Sequence, residues 1–229
     1  MNDGQRLSER MAAMARDLHQ HQGDQAAAYR HVVEAACSSI DGCDGAALSL
    51  ARGGDIETVA ATNDLACEAE RLQQDVGEGP CLDAVRTQQT VHSTDVGHDA
   101  RWSTWGPKVA GTGARSALAL RLYTHGKTLG ALTLYSRELD AFGDEAREEG
   151  LALAAHVAVA VAADQQVAHL TLGLDSRTLI GQATGVLMER FRLDAVAAFA
   201  VLTRLSSSEN IKLRVLATDI IAGRTVGGV

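Results

Sequence analysis

Aromatic side chains are scarce in this chain: three Phe, three Tyr and two Trp, 3% of 229 residues. Much of the 46% hydrophobic content is therefore alanine and other small aliphatics, which favours packed helices over a β-sandwich and excludes wholesale disorder. Long apolar runs are missing too. No uncharged stretch approaches the roughly 20 residues of a membrane span, and Met1 is followed by polar sequence without a signal-peptide core. The expectation is a cytoplasmic protein with no membrane partner. Cys37, Cys43, Cys67 and Cys81 form no CxxC pair, which argues against a zinc site or a disulfide framework. No metal or other cofactor is called for.

Charge is unevenly spread. Residues 1–164 hold 14 Lys/Arg against 24 Asp/Glu, whereas residues 165–229 hold seven against five, within a net charge of −8. An acidic body thus carries a mildly basic tail, and the tail is the part suited to an anionic partner.

Periodicity divides the chain. LSERMAAMARDLH (7–19), with Ser8 as cap, and DQAAAYRHVVEAACSSI (24–40), with Asp24, read as helices. GAALSLARG (45–53) and IETVAAT (56–62) flank a glycine turn and read as a hairpin. NDLACEAERLQQ (63–74) is a third helix capped by Asn63 or Asp64. RSALALRLY (115–123) and KTLGALTLYS (127–136) form a second hairpin about His125-Gly126. From Asp144 the pattern is helical for some 45 residues.

Within that helix, positions 154, 158, 161, 165, 168, 172, 175 and 179 make a heptad-like stripe broken by Gln165 and Asp175. The stripe predicts a homodimer seam in which polar residues tune register; the alternative is a helix packed on its own domain. No Gly/Pro linker separates this helix from the tail. Two further helices follow. One is capped by Asp194, with Ala198, Phe199, Leu202 and Leu205 inward. The other begins at Glu209 or Asn210 and stops at Gly223, with Leu213, Leu216, Ala217 and Ile220 inward. Ile211, Val215, Thr218 and Ala222 form a second stripe on it. Short loops make these a three-helix bundle.

The tail opens with IGQATGVLMERF (180–191). Gly181 and Gly185 lie four apart beside the apolar stripe, although each interior glycine costs a helix about 1 kcal/mol against alanine. At 100° per residue they share a flank with Arg192. Bare backbone beside a cation suits close approach of a phosphate chain; close packing of two helices is the alternative.

Residues 175–223 resemble the ANTAR domain of transcription antiterminators. The pieces that carry the likeness are SR at 176–177, IGQATGVLM at 180–188, AF at 198–199, SS at 206–207 and N-x-K-L at 210–213, in order and at the family's spacing. Residues 24–163 resemble a GAF sensor domain, most clearly in VGEGPCLDAV (76–85) and LGALTLYS (129–136), and the pairing is of the actinobacterial type. The resemblance implies an α+β fold: an antiparallel sheet flanked by helices, a long coiled-coil-like connecting helix, and an all-α three-helix bundle. The expected division is an N-terminal helix (1–23), the GAF domain (24–163), a helical linker (164–174) and the ANTAR domain (175–229).

The function implied is a signal-responsive antiterminator that binds structured RNA, typically paired hairpin loops. The family match carries Ala183, Gly185, Arg204, Ser206, Asn210 and Lys212 over as RNA-binding residues, with Arg214 a nearby donor. Thr184 stands where many ANTAR domains have lysine, which removes one phosphate contact. Phe191 and Phe199 fall on apolar faces, leaving the tail short of stacking platforms.

In GEGPC (77–81 with Gly77), Pro80 suits the first turn of a helix, placing Cys81 where amide dipoles favour a thiolate. Glu78 and Asp83 oppose that, and an inert buried thiol is the plainer reading. Trp102 and Trp105 are candidates for lining a small-molecule ligand pocket or for core packing. HSTDVGHD (92–99) lacks metal spacing and reads as a solvated loop. Ser136-Arg137 followed by Phe142-Gly143-Asp144-Glu145 departs from the cyclic-nucleotide pattern of GAF domains. No catalytic residues are expected. A redox enzyme pairing Cys81 with Cys67 lacks motif support, and a DNA-binding helix-turn-helix protein would want more than Lys212, Arg214 and Arg224 on its last helix.

Overall fold

A computed structural model describes residues 25–224, the side chains of 168 and 169 excepted. The expected helix over 7–19 and the caps at Ser8 and Asp24 lie outside the described residues. The chain forms two compact units, Met1–Ala163 and Asp164–Val229.

In the first unit, α1 (Gln25–Ser39) precedes the hairpin β1 (Gly45–Arg52) and β2 (Asp55–Ala61). There follow α2 (Asp64–Val76), α3 (Pro80–Thr87), the short strand β3 (Val91–Ser93), a 3-10 turn (Ala100–Trp102), α4 (Trp105–Gly111), β4 (Ser116–Thr124) and β5 (Lys127–Ser136). The five strands are antiparallel in the order β2-β1-β5-β4-β3. His125 (φ 47°) and Gly126 (φ 80°) close the β4–β5 hairpin with both central residues left-handed, the conformation of the two-residue turns that match strand twist.

Period-2 alternation gives this sheet two different faces. One is leucine-rich: Leu48, Leu50, Leu118, Leu120, Leu122, Leu132 and Leu134 pack against Tyr29, Val32, Val33 and Ala36 of α1. The other is built of small and polar side chains, including Ala47, Ser49, Ala117, Ala119, Ala131, Thr133 and Tyr135. Small side chains let α2, α3 and the tryptophans approach that face closely. Asn63 caps α2, its Oδ1 accepting from Ala66 N at 3.2 Å, and Gly77 (φ 72°) ends it.

A single helix, α5 (Asp144–Phe191, 48 residues), contributes to both units. It is long enough, and over one 18-residue window apolar enough (mean hydropathy 1.4), to cross a membrane, although only 29% of that window is buried. Its uncharged run, residues 150–163, ends at Asp164 and is shorter than the roughly 20 residues of a span. Leu153, Ala154, Val157, Ala158 and Val161 are spent on the sheet's leucine-rich core, as in the core helix of a globular domain. This corrects the expected dimer seam at its start: Ala154, Ala158 and Val161 are at most 2% exposed, inside their own domain.

In the second unit α5 is followed by α6 (Ala195–Ser208) and α7 (Leu213–Ile221). Ala183, Leu187, Ala198, Leu202, Leu216 and Ala217 form the bundle core, with Leu179, Leu205, Leu213, Ile220 and Ile211 packed at its edge. Asp194 caps α6, its Oδ1 accepting from Ala197 N at 2.8 Å. All three helices end alike. Arg192 (φ 53°), Asn210 (φ 53°) and Gly223 (φ 67°) are left-handed, and the next residue's N–H returns to the carbonyl five back: Leu193 to Met188, Ile211 to Ser206, Arg224 to Asp219. This is the Schellman termination. Two expectations are corrected by it. Asn210 ends α6 instead of starting α7, whose N-cap is Lys212. Arg192 lies past the end of α5 and off the helical flank that it was expected to share with the glycines.

Candidate nucleic-acid interface and sensor interior

The glycine strip is open. Among the described residues an added Cβ at Gly181 or Gly185 would meet nothing within 4 Å, so neither glycine serves packing against another described helix. Ala183, between them, is turned about 200° away and is fully buried. Its expected RNA contact is therefore replaced by core packing. Thr184 is half-buried, with Oγ1 donating to Ile180 O at 2.7 Å.

Arg192, Arg204, Asn210, Lys212 and Arg214 are exposed. Among the described residues none of the four cations is ion-paired, while Arg224 is held by Asp219 at 3.2 Å. Ser206 is half-buried and structural: its hydroxyl donates to Ile211 O at 2.6 Å while its carbonyl accepts from Ile211 N at 3.1 Å, locking the α6–α7 turn. These residues do not form one cluster. Arg192 precedes the 14-residue α6, and Asn210, Lys212 and Arg214 follow it, roughly 20 Å along the helix axis. Phe191 and Phe199 also differ from expectation. They are 43% and 45% exposed because the small core is filled by Ala and Leu.

In the sensor unit the GEGPC residues build an interior. Glu78 caps α4, its Oε2 accepting from Thr104 N at 2.8 Å and Trp105 N at 3.0 Å. These bonds hold its carboxyl below the usual range. Gly79 (φ 136°) has no room for a side chain, since a Cβ would lie 2.3 Å from Gln73. Cys81 N donates to Gln73 Oε1 at 2.8 Å, and the cysteine is fully buried. Burial first, then the Glu70 carboxylate, push its thiol well above the ordinary value, opposite to the thiolate that the helix start suggested. Trp102 and Trp105 pack edge to face at 5.4 Å. Their indole N–H groups donate to Asp83 Oδ2 at 2.8 Å and Ala69 O at 3.1 Å. Both are at most 1% exposed, so they are core residues with no free polar edge toward a ligand.

Sequence reasoning missed the polar group beneath them. Glu70 is fully buried; its Oε1 accepts from Tyr135 at 2.9 Å and its Oε2 from Ser49 at 3.0 Å. Gln73 Nε2 donates to Tyr135 Oη at 2.8 Å. Burial raises the Glu70 and Tyr135 pKa values. The signal for this cluster was available as polar side chains at inward positions, Glu70 and Gln73 in register with Ala66 and Ala69 on α2, and Thr133 and Tyr135 in register with Ala131 on β5. The HSTDVGHD loop is structural: Asp95 pairs with His98 at 2.8 Å, and Asp99 accepts from Ser93 at 2.7 Å and from Arg101. Among the described residues no group of three or more His, Cys, Asp or Glu is placed to hold a metal.

A sheet domain with a buried polar interior, continued by a helix into a bundle with free cations, defines a two-domain regulatory protein. The chain belongs to the GAF-domain family, whose model matches residues 22–162, and an ANTAR domain follows at 168–221. ANTAR domains mark RNA-binding antitermination regulation, and GAF domains mark signal sensing. No curated protein matches the chain. Among solved structures, the GAF domain of a phosphoenolpyruvate-protein phosphotransferase from Coxiella burnetii is 18% identical, covers 70% of this chain and 98% of its own, and has a TM-score of 0.54. A free methionine-R-sulfoxide reductase from Neisseria meningitidis is 15% identical, with 73% and 95% covered and a TM-score of 0.55. The corresponding domain from Acinetobacter is 12% identical, with 74% and 99% covered and a TM-score of 0.54. At these identities the likeness concerns the fold alone.

Proposed function

We propose that the chain is a cytoplasmic, signal-responsive antiterminator whose second domain binds hairpin-loop RNA. The observation that carries this is the open backbone at Gly181 and Gly185 in a bundle whose Arg192, Arg204, Lys212 and Arg214 are exposed and unpaired. A conformationally costly strip that packs against none of the described residues suits a partner that comes close. Splayed RNA loops are met by backbone contacts, cations and stacking rings, and Phe191 and Phe199 supply the rings. Asn210 adds an exposed amide on a turn that Ser206 holds rigid. Ala183 supports the strip from behind as a core residue, and half-buried Thr184 flanks it with its hydroxyl turned to Ile180 O.

The second finer reading is a homodimer. In the second unit Val167, Leu170 and Leu174 recur at three and four and are 63%, 62% and 64% exposed. We assign the seam to this stripe, on the other side of α5 from the Leu179 position of the expected one. In a parallel pair the next position, Arg177, sets like charges face to face and ends the seam, leaving the glycines beyond it for RNA.

The test is filter binding of the full chain to a two-hairpin RNA, a scrambled RNA of equal length and a duplex DNA. Tighter binding to the two-hairpin RNA supports the reading. Equal affinity for all three would leave only general attraction to polyanions, and preference for the duplex would favour a DNA-binding regulator.

A further inference from the structure

Two cysteines that are six apart in sequence meet in space. Cys37 lies in the last turn of α1, and Cys43 lies in the connection to β1. Gly42 (φ 77°) turns that connection tightly enough that an added Cβ would lie 3.2 Å from Ala141. The two Sγ atoms are 3.5 Å apart, with Cys43 donating to Cys37; Cys43 Sγ is also 3.3 Å from Gly45 O. Both are free thiols and only partly buried. A disulfide requires the sulfurs at about 2.0 Å, so closure needs a combined movement of about 1.5 Å where a helix end meets a loop. Nothing in the functional reading above uses this pair.

We propose that Cys37 and Cys43 form a redox-active dithiol, a site that reduces a hydroperoxide while closing an internal disulfide. The sulfurs have different roles. The hydrogen bond from Cys43, then one involving Thr62, outweighs burial and brings Cys37 down to about 7, whereas the same hydrogen bond and burial raise Cys43. The hydrogen bond from Cys43 favours the thiolate of Cys37, the form that attacks. Its sulfur attacks the terminal peroxide oxygen, the O–O bond breaks, and the other oxygen leaves and takes up a proton, giving a sulfenic acid and releasing an alcohol or water. Cys43 then attacks the sulfenic sulfur; its proton and the sulfenic hydroxyl leave as water. Two thiols lose two electrons and two protons, and the peroxide is reduced by two electrons. This chemistry is independent of RNA binding. It supplies a physical candidate for the sensor's input, because both cysteines pack at the edge of the core that also buries Leu153 to Val161 of α5.

The pair can be read directly, because trypsin releases both cysteines in one peptide, His31–Arg52, apart from Cys67 and Cys81. The full-length protein is treated with a few equivalents of hydrogen peroxide, alkylated with iodoacetamide and digested. The expected result is a His31–Arg52 peptide lighter by two hydrogens and free of alkylation, restored to two alkylated thiols by dithiothreitol. In Cys43→Ala, dimedone should trap a sulfenic acid on Cys37, and alkylation of Cys37 at pH 7 should slow several-fold for want of its hydrogen-bond donor. In Cys37→Ala, Cys43 should remain unoxidised. Circular dichroism checks that each variant is folded. The proposal is overturned if both thiols stay alkylatable at peroxide levels that oxidise exposed Cys67, or if Cys37 proceeds to sulfinic acid without a disulfide in the wild-type chain.

Discussion

Gly185 separates three roles for one residue. Its Cβ position is empty among the described residues, so Gly185→Ala should raise the thermal stability of the bundle by roughly 0.5–1 kcal/mol through helix propensity alone. If the strip receives RNA, the same change weakens RNA binding and leaves the oligomeric state unaltered. If the strip receives a second copy of the helix, dimerisation weakens first. Melting, light scattering and filter binding on one variant distinguish these outcomes. A destabilised monomer would contradict the open geometry itself.

Glu70 gives a second prediction, concerning pH. Its folded pKa lies above the ordinary 4.5, chiefly through burial. A raised acid pKa means that the folded state holds the proton more tightly than the unfolded chain does. The stabilisation is therefore complete below 4.5 and is lost as pH rises through the folded value. Glu70→Gln keeps an acceptor for Tyr135 and removes the buried charge. The variant should melt close to the wild type near pH 4 and increasingly above it as pH rises. A melting difference independent of pH would show that Glu70 is already neutral or well solvated across the range. That this residue escaped the sequence reading has a plain cause: on a helix as polar as α2, an inward glutamate has the same spacing as one facing water, and only the sheet packed over it tells them apart.

At the scale of elements, the legible parts were those where local chemistry and burial agree. The β4–β5 hairpin follows from alternating leucines and the His125-Gly126 turn, α2 from the Asn63-Asp64 start, and α6 from Asp194. The turns after α5 and α6 were misplaced because Arg192 and Asn210 stand where glycine usually marks a helix end. The first part of the expected seam, Ala154, Ala158 and Val161, is taken up by the domain's own core because apolar residues line more than one face between 154 and 179, and periodicity does not reveal which face the chain covers itself. Val167, Leu170 and Leu174 are among the apolar side chains that it leaves exposed, with Leu151, Val159 and Leu172. At about 1.5–3 kcal/mol per buried side chain, six of them, Val167, Leu170 and Leu174 from each copy, offset an association cost of roughly 4–15 kcal/mol only narrowly. A weak, concentration-dependent dimer is expected. Replacing all three with Gln should give a monomer at every concentration by light scattering, with the bundle's melting temperature unchanged. A dimer that survives this replacement would place its interface elsewhere.

For the whole molecule, charge and copy number decide how RNA is held. Of the second domain's cations that are not ion-paired among the described residues, four are assigned to RNA, Arg192, Arg204, Lys212 and Arg214, divided between the two ends of α6, while Arg177 and Arg190 lie on α5 outside that set. At about −0.7 per neutralised phosphate, a single copy that holds RNA through these four cations has a log–log salt slope of about −2.8. The acidic body, with 24 Asp/Glu against 14 Lys/Arg, opposes RNA approach most strongly at low salt, where screening is least. One copy should thus bind weakly and with shallow salt dependence. Two copies joined through α5 present eight cations to one two-hairpin RNA, and the second contact is made at a raised effective concentration. The full-length protein at dimer-forming concentration should therefore show a slope approaching twice that of the Val167, Leu170 and Leu174 triple variant. Its advantage over that variant should largely vanish on an RNA with a single hairpin. Equal slopes for the two proteins on the two-hairpin RNA would mean that a single copy makes all the contacts. The free stripe on α5 would then have no part in holding RNA.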